Sequence, residues 1–394
     1  MPRIPSRTSL LVLGMHRSGT SAVSGTLARI GATPPKTLMP NGRDNERGYW
    51  ESAPIKALHD ELLRSAGSRW SDWRQFSRDW HHSPIGAKFK ERAKELLVSE
   101  FGDAPVFVLK DPRICRFPQL WLDLMLEEGI DVKVIIPVRM PLEVAQSLRS
   151  RDGFSINFGL LLWLRHALEA EFATRSVSRS ILILDDFLSD WKAAVTRVAN
   201  ETAFQWPNLT EASIAEVDAF LTSELKHENV SSSEAWLHPD INEWVRDTYD
   251  ALVELSSNRD SLSAKQVLDR VRGQFDDSCR IFGRELANGE QKAIDLEGRV
   301  QVQESELRRI KQQHVVELER RDSIFADYES ANTTLLTENS QLAVSISDLT
   351  NELARRDATN IALDTEVNSL RGHLWRLRRR PLRAAAKWLI GRPI

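Results

Sequence analysis

Four apolar residues, Leu10 to Leu13, run without interruption into Gly14-Met15-His16-Arg17-Ser18-Gly19-Thr20-Ser21, and Ala22 to Leu27 follow with the look of a helix. This strand–loop–helix order constrains the fold more than any other stretch of the chain. Two glycines with four residues between them allow the tight turn of a phosphate-binding loop. Backbone N–H groups in such a turn line an anion nest, and the helix that follows adds the partial positive charge of its N-terminus. A nucleotide triphosphatase needs lysine directly after the second glycine, where this chain has Thr20, and the loop's cation comes earlier, at Arg17. The bland alternative is a glycine-rich turn that holds no ligand.

The neighbouring sequence repeats the theme. Strand-length apolar runs at Ser9–Leu13, Val106–Leu109, Val132–Val138 and Ser180–Leu184 are bounded by polar, Gly or Pro residues. Helical patterns at Ala53–Leu63, Lys88–Val98, Leu142–Leu148 and Leu160–Phe172 separate them. Strands alternating with helices predict an α/β domain of three layers, a central parallel sheet covered on both faces. Residues 206 to 285 read as wholly helical. The chain's 394 residues exceed one ordinary domain. Two cysteines, Cys115 and Cys279, exclude a disulfide scaffold and a zinc cluster and fit a reducing compartment. A net charge of −3 argues against a nucleic-acid binder. No run is apolar and long enough to span a membrane, and the short run at Leu10–Leu13 is no signal peptide. The expectation is a cytoplasmic protein, in solution or attached to a membrane surface.

A second strand-to-helix junction carries a second arginine. Val134-Ile135-Ile136-Pro137-Val138-Arg139 ends a strand, Pro141-Leu142-Glu143-Val144-Ala145-Gln146-Ser147-Leu148 opens a helix, and Arg149 and Arg151 follow. A guanidinium at a strand end suits a phosphate because its fork donates two parallel hydrogen bonds. Together the two junctions resemble the phosphate motifs of the 3′-phosphoadenosine 5′-phosphosulfate (PAPS)-dependent sulfotransferases, bacterial type. The resemblance covers residues 9 to 225, with two specific motifs and three softer ones. It implies that Arg17, Ser18, Gly19, Thr20 and Ser21, with Gly14, hold the 5′-phosphosulfate, and that Arg139 and Ser147 hold the 3′-phosphate. It implies PAPS as sulfonate donor and no metal.

The softer motifs concern the chemistry. Phe107-Val108-Leu109-Lys110-Asp111-Pro112-Arg113 resembles a segment that supplies active-site groups in this family, where Lys110 would steady the sulfonate's developing charge; the rival reading is a structural Lys110–Asp111 ion pair. In Asn45-Glu46-Arg47-Gly48-Tyr49-Trp50-Glu51, Glu51 is the candidate general base, with His59 and Asp111 as rivals. Asp185-Asp186-Phe187 matches an architectural segment after the fourth strand. The late Arg-Lys-Gly loop of some members is missing. The implied reaction is transfer of a sulfonate to a hydroxyl or amine of a glycan, a lipid-linked sugar or a small molecule. The alternative is a non-catalytic nucleotide-binding assembly protein whose coiled coil is the working part.

Beyond residue 288 the texture changes. Proline is absent up to 374 and charge is dense. From Asn332 one heptad register places Asn332, Asn339, Ile346, Leu353, Asn360, Val367 and Leu374 at a, and Leu335, Leu342, Leu349, Leu363 and Leu370 at d, with Arg356 as the misfit. This predicts a long coiled coil. Asparagines at a favour a parallel dimer, because each is costly unless it pairs with its counterpart. The expected division is a sulfotransferase domain 1–225, a helical extension 226–287 that completes or caps it, a coiled coil 288–374 and a basic amphipathic tail 375–394. The tail joins Arg376, Arg378, Arg379, Arg380, Arg383, Lys387 and Arg392 to Trp375 and Trp388, a composition suited to an anionic membrane surface. The partners expected are an acceptor, a second copy and a membrane surface, with no nucleic acid.

Overall fold

A computed structural model describes residues 7–42, 45, 48–77, 79–221, 236–330 and 338–390. The chain divides into two compact units, Met1–Arg284 and Glu285–Ile394. In the first, β1 (Arg7–Val12), α1 (Thr20–Arg29), α2 (Ala53–Ser65), α3 (Pro84–Phe101), β2 (Val106–Lys110), α4 (Pro118–Glu127), β3 (Ile130–Val138), α5 (Pro141–Asp152), α6 (Ile156–Ala173) and β4 (Ser178–Ile183) alternate as expected. Then follow α7 (Leu184–Ser189), α8 (Trp191–Thr202), α9 (Glu211–Phe220) and α10 (Glu243–Ser257).

The four strands are parallel, in the order β2-β1-β3-β4. Leu10, Leu11, Val12 and Leu13 are all fully buried, so β1 lacks polar alternation because both of its faces are covered. One face packs Leu10, Val12, Val108, Ile135 and Leu182 against Val23 and Leu27 of α1 and Val195 and Val198 of α8. Phe187 of the Asp185-Asp186-Phe187 segment lies in this same core. The opposite face of β3 carries α4 and α6. Serine caps and early prolines start the helices cleanly: Ser52 Oγ accepts from Ile55 N and Ser83 Oγ from Gly86 N, each with Pro in the first turn.

This order positions the site. From β1 the chain moves to β2 on one side, then crosses back to β3 on the other. The carboxyl ends of β1 and β3 are therefore neighbours at a topological switch point, where open α/β sheets bind ligands.

Residues 206 to 285 are not wholly helical. Residues 236–242 form turns around His238-Pro239, since the residue before a proline is pushed out of the helical region. Asn242 then caps α10, its Oδ1 accepting from Val245 N at 3.1 Å. Residues 222–235 lie outside the described residues.

α11 (Leu262–Ser330) contributes to both units, and α12 (Glu338–Ile390) belongs to the second. Within that second unit the two helices run antiparallel. Ala293 and Val300 pack against Val367, with Leu296 and Leu370 alongside. Glu304 pairs with Arg371, and His314 Nδ1 lies 3.7 Å from Asp357. The expected heptad stripe thus faces a helix of its own chain. A heptad marks an apolar seam and leaves its partner and direction open. Asn332 and Leu335 lie outside the described residues. α12 also continues through Trp375 to Ile390, without a break where the tail was expected to begin. Among the described residues, no helix is long and apolar enough to cross a membrane.

Candidate active site

The loop after β1 is shaped by two backbone positions. Gly19 caps α1 at φ 81°, in the left-handed region, and a Cβ there would come within 2.3 Å of Leu184. Arg17 also sits at positive φ, 69°, uncommon for a residue with a side chain and held here by its contacts. Arg17 Nε donates to Ser147 Oγ at 2.7 Å. Arg139 NH1 donates to the Arg17 carbonyl at 3.2 Å, and Arg139 Nε to Glu143 Oε2 at 2.7 Å. The two arginine-bearing junctions, separated by more than a hundred residues, therefore meet in one cluster. Thr20 is buried in the first turn of α1, and Ser18 Oγ is buried with no partner among the described residues. An unpaired buried hydroxyl costs free energy unless something completes it. With two guanidinium groups and a helix N-terminus around it, this donor set fits an anion.

The next cluster stands at the end of β2. Lys110 Nζ donates to Glu51 Oε1 at 2.6 Å and to Ser21 Oγ at 3.3 Å. Ser21 Oγ also accepts from Asn45 Nδ2 at 3.2 Å and donates to the Tyr49 carbonyl at 3.3 Å. One hydroxyl thus ties the start of α1 to β2 and to the 45–51 segment, of which Glu46 and Arg47 lie outside the described residues. The Glu51 backbone is fixed by its carbonyl accepting from Met39 N at 2.8 Å. The Lys110–Asp111 ion pair considered from sequence gives way to Lys110–Glu51, because Asp111 is engaged elsewhere. Burial pushes the Glu51 carboxyl above its ordinary value, with Lys110 pulling the other way.

Behind this pair stands a wall of saturated groups. His59 is fully buried; its Nδ1 is 2.8 Å from Asp111 Oδ2, and Trp121 Nε1 donates to its Nε2 at 2.9 Å. Since the indole is a donor only, Nε2 must accept, which leaves Nδ1–H to donate to Asp111. Asp111 Oδ1 accepts from Arg113 N at 2.9 Å and Arg113 NH1 at 3.1 Å. Burial alone would raise the Asp111 carboxyl, but Arg113 and His59 hold it well below the usual carboxylate range. Both rival bases therefore have their acceptor positions occupied, and Glu51 alone of the three stands beside Lys110. Arg113 continues the wall, its Nε 2.5 Å from Asp60 Oδ1 and its NH1 3.8 Å from Glu51.

The chain matches no protein-family model, and no curated protein is similar to it by sequence. Among solved structures it is similar to the sulfotransferase domain of the Synechococcus PCC 7002 olefin synthase, at 14% identity and TM-score 0.37 over 64% of this chain and 97% of that one. It is similar also to the sulfotransferase STF9 from Mycobacterium avium, at 14% identity and TM-score 0.36 over 58% of this chain and 70% of that one.

Two residues at the loop escaped the sequence reading. The His16 ring meets Trp70 edge-on at 4.6 Å, and its Nε2 is buried with no partner among the described residues. Burial, then Arg113 and Arg151, lowers its proton affinity well below the ordinary value, so it stands neutral in the loop. Trp70 lies under Arg151 at 5.5 Å and beside Phe154. His16 sits inside the glycine loop, which was the one available signal; nothing in the sequence pairs it with a tryptophan in a different segment. Among the described residues, no group of three His, Cys, Asp or Glu side chains is placed to hold a metal ion.

Proposed function

We propose that the chain is a sulfotransferase that moves a sulfonate from PAPS to an acceptor hydroxyl or amine. One observation carries the reading: Arg17 and Arg139, at the ends of adjacent strands, meet through Ser147 and the Arg17 carbonyl. A donor with phosphates on both sides of its ribose asks for two such cationic strand ends, whereas a triphosphate asks for the lysine that Thr20 replaces. Gly14, Arg17, Ser18, Gly19, Thr20 and Ser21 would hold the 5′ end, and Arg139 with Ser147 the 3′-phosphate. When bound, PAPS supplies the transferable sulfonate.

The remaining work falls to the chain's own residues. Lys110, bridging Ser21 and Glu51, is placed to steady negative charge as it develops. Glu51 takes the acceptor's proton, and burial makes it a stronger base than an exposed glutamate. His59, Asp111 and Arg113 act by positioning. The acceptor is proposed to be a glycan or lipid-linked sugar, its contacts coming from the 34–48 and 66–84 loops. Cytoplasmic placement, self-association through the helical unit and contact of the tail with an anionic membrane complete the reading; sedimentation and vesicle flotation test the last two. Val302, Val315, Val316 and Ile361 are exposed on the helical unit, which favours a second copy as its partner. The function itself is tested by supplying PAPS with labelled sulfonate and an acceptor panel. Label entering an acceptor with release of 3′-phosphoadenosine 5′-phosphate supports it; no transfer to any acceptor, with no such release, counts against it.

A further inference from the structure

Away from the phosphate loop, a pocket of about 140 Å³ opens between the turn that follows β2 and the end of α6. Its walls are aromatic and aliphatic: Phe76, Phe117, Pro118, Leu120 and Phe172. None of them belongs to the loop, and Phe117 backs onto His59 with ring centroids 5.1 Å apart. For scale, an apolar cavity of ~150 Å³ accepts benzene. The volume suits a single ring.

The pocket also holds a cation with nothing to neutralise it. Arg116 lines it and is 4% exposed. NH2 donates to the Arg74 carbonyl at 2.6 Å, while Nε and NH1 have no partner among the described residues. The carboxylates around it are engaged by other arginines. Asp72 accepts from Arg74 Nε and NH2, at 2.9 and 2.7 Å. Glu169, which also lines the pocket, accepts from Arg165 NH1 at 3.0 Å. Asp276 accepts from the same nitrogen at 2.6 Å. His81, on the rim, stands 3.5 Å from Asp123. A buried charge without a counter-ion is unstable, and two parallel N–H groups are the geometry that binds a carboxylate. Its effect reaches its neighbours: burial, then the Arg116 charge, lowers His166 to about 3. The guanidinium itself is lowered to about 10, by burial and then, against the pull of Asp72, by Arg165.

We propose that this pocket is a second binding site, separate from the phosphate loop, for a small aromatic carboxylate whose ring fills the apolar walls and whose head group sits on Arg116. The aromatic walls supply affinity for the ring, and the unsatisfied N–H pair selects an anion over its neutral isostere.

Benzoate, benzamide and acetate titrated into the full-length protein test this, with binding followed by calorimetry. Benzoate binds, and both benzamide and acetate bind weaker by about tenfold or more, because each lacks one of the two features. Arg116→Met weakens benzoate by a similar factor. Ala173→Leu fills the pocket from the end of α6 without touching the charge and does the same. Arg139→Ala, in the phosphate loop, leaves benzoate affinity unchanged and so separates this site from the proposed donor site. Absence of benzoate binding, equal affinity for benzamide, or loss of binding in Arg139→Ala overturns the proposal.

Discussion

In the first unit, buried polar groups are largely tied into one network: Glu51 meets Lys110, Lys110 meets Ser21, and Asp111 takes His59 and Arg113. In the helical unit the seam is looser. Gln303 Oε1, His314 Nε2 and Asn360 Oδ1 are buried there with no partner among the described residues. Both arrangements place polar atoms out of water, where each unsatisfied one costs about 1–3 kcal/mol. In the first unit that cost is offset by partners, and the groups left open stand at the phosphate loop and the Arg116 pocket. Along the seam nothing offsets it, so those residues act against stability. A polar group at an a position has one well-attested use, selecting register and partner. The contrast teaches that orphaned polar atoms mark ligand sites in one unit and the terms of association in the other.

The comparison can be broken first at Glu51. Glu51→Gln keeps a carbonyl oxygen for Lys110 but removes the base, so turnover should fall by ~10²-fold or more while donor affinity holds. The same residue sets the pH profile. Protonated Glu51 cannot accept a proton, so activity is lost as pH falls through its raised value; the acid limb of kcat therefore lies above the ordinary 4.5. Full turnover in the glutamine variant, or an acid limb at or below 4.5, would show the network is only structural.

Arg139→Ala should come next, costing about 2–3 kcal/mol of donor affinity for a charge-assisted contact. An unchanged Kd by calorimetry would detach the second strand end from the site. The smallest effect is expected in the seam. Asn360→Leu should stabilise the antiparallel pair by about 1 kcal/mol, the order of relieving one unsatisfied amide, and leave donor binding alone. Hydrogen exchange across α11 and α12 reads it; a loss of protection would mean that Asn360 is satisfied by a partner after all.

Much of the site was legible in the sequence because its determinants are local. Gly14 and Gly19 shape a turn, and an arginine ends each of two strands; such features need only a few adjacent residues. The base was not legible. Glu51, His59 and Asp111 are all plausible until Trp121, 62 residues from His59, donates to its Nε2 and closes it. The same holds for Arg116, whose isolation follows from the partners that Asp72 and Glu169 choose instead. The seam was half legible: the heptads located Val367 and Leu370 correctly, but an apolar stripe reads alike whether its partner is another chain or α11 of its own. The turn region 236–242 was hidden for a simpler reason, the helix-like spacing on either side of Pro239.

The central claim is that the two arginine-bearing strand ends together hold a nucleotide phosphorylated at both its 3′ and 5′ positions. Titration calorimetry with 3′-phosphoadenosine 5′-phosphate and, separately, with ATP tests it most directly. The account predicts micromolar affinity for the first and binding weaker by about tenfold or more for the second, because ATP leaves Arg139 and Ser147 without their phosphate. Equal affinity for the two nucleotides would contradict it.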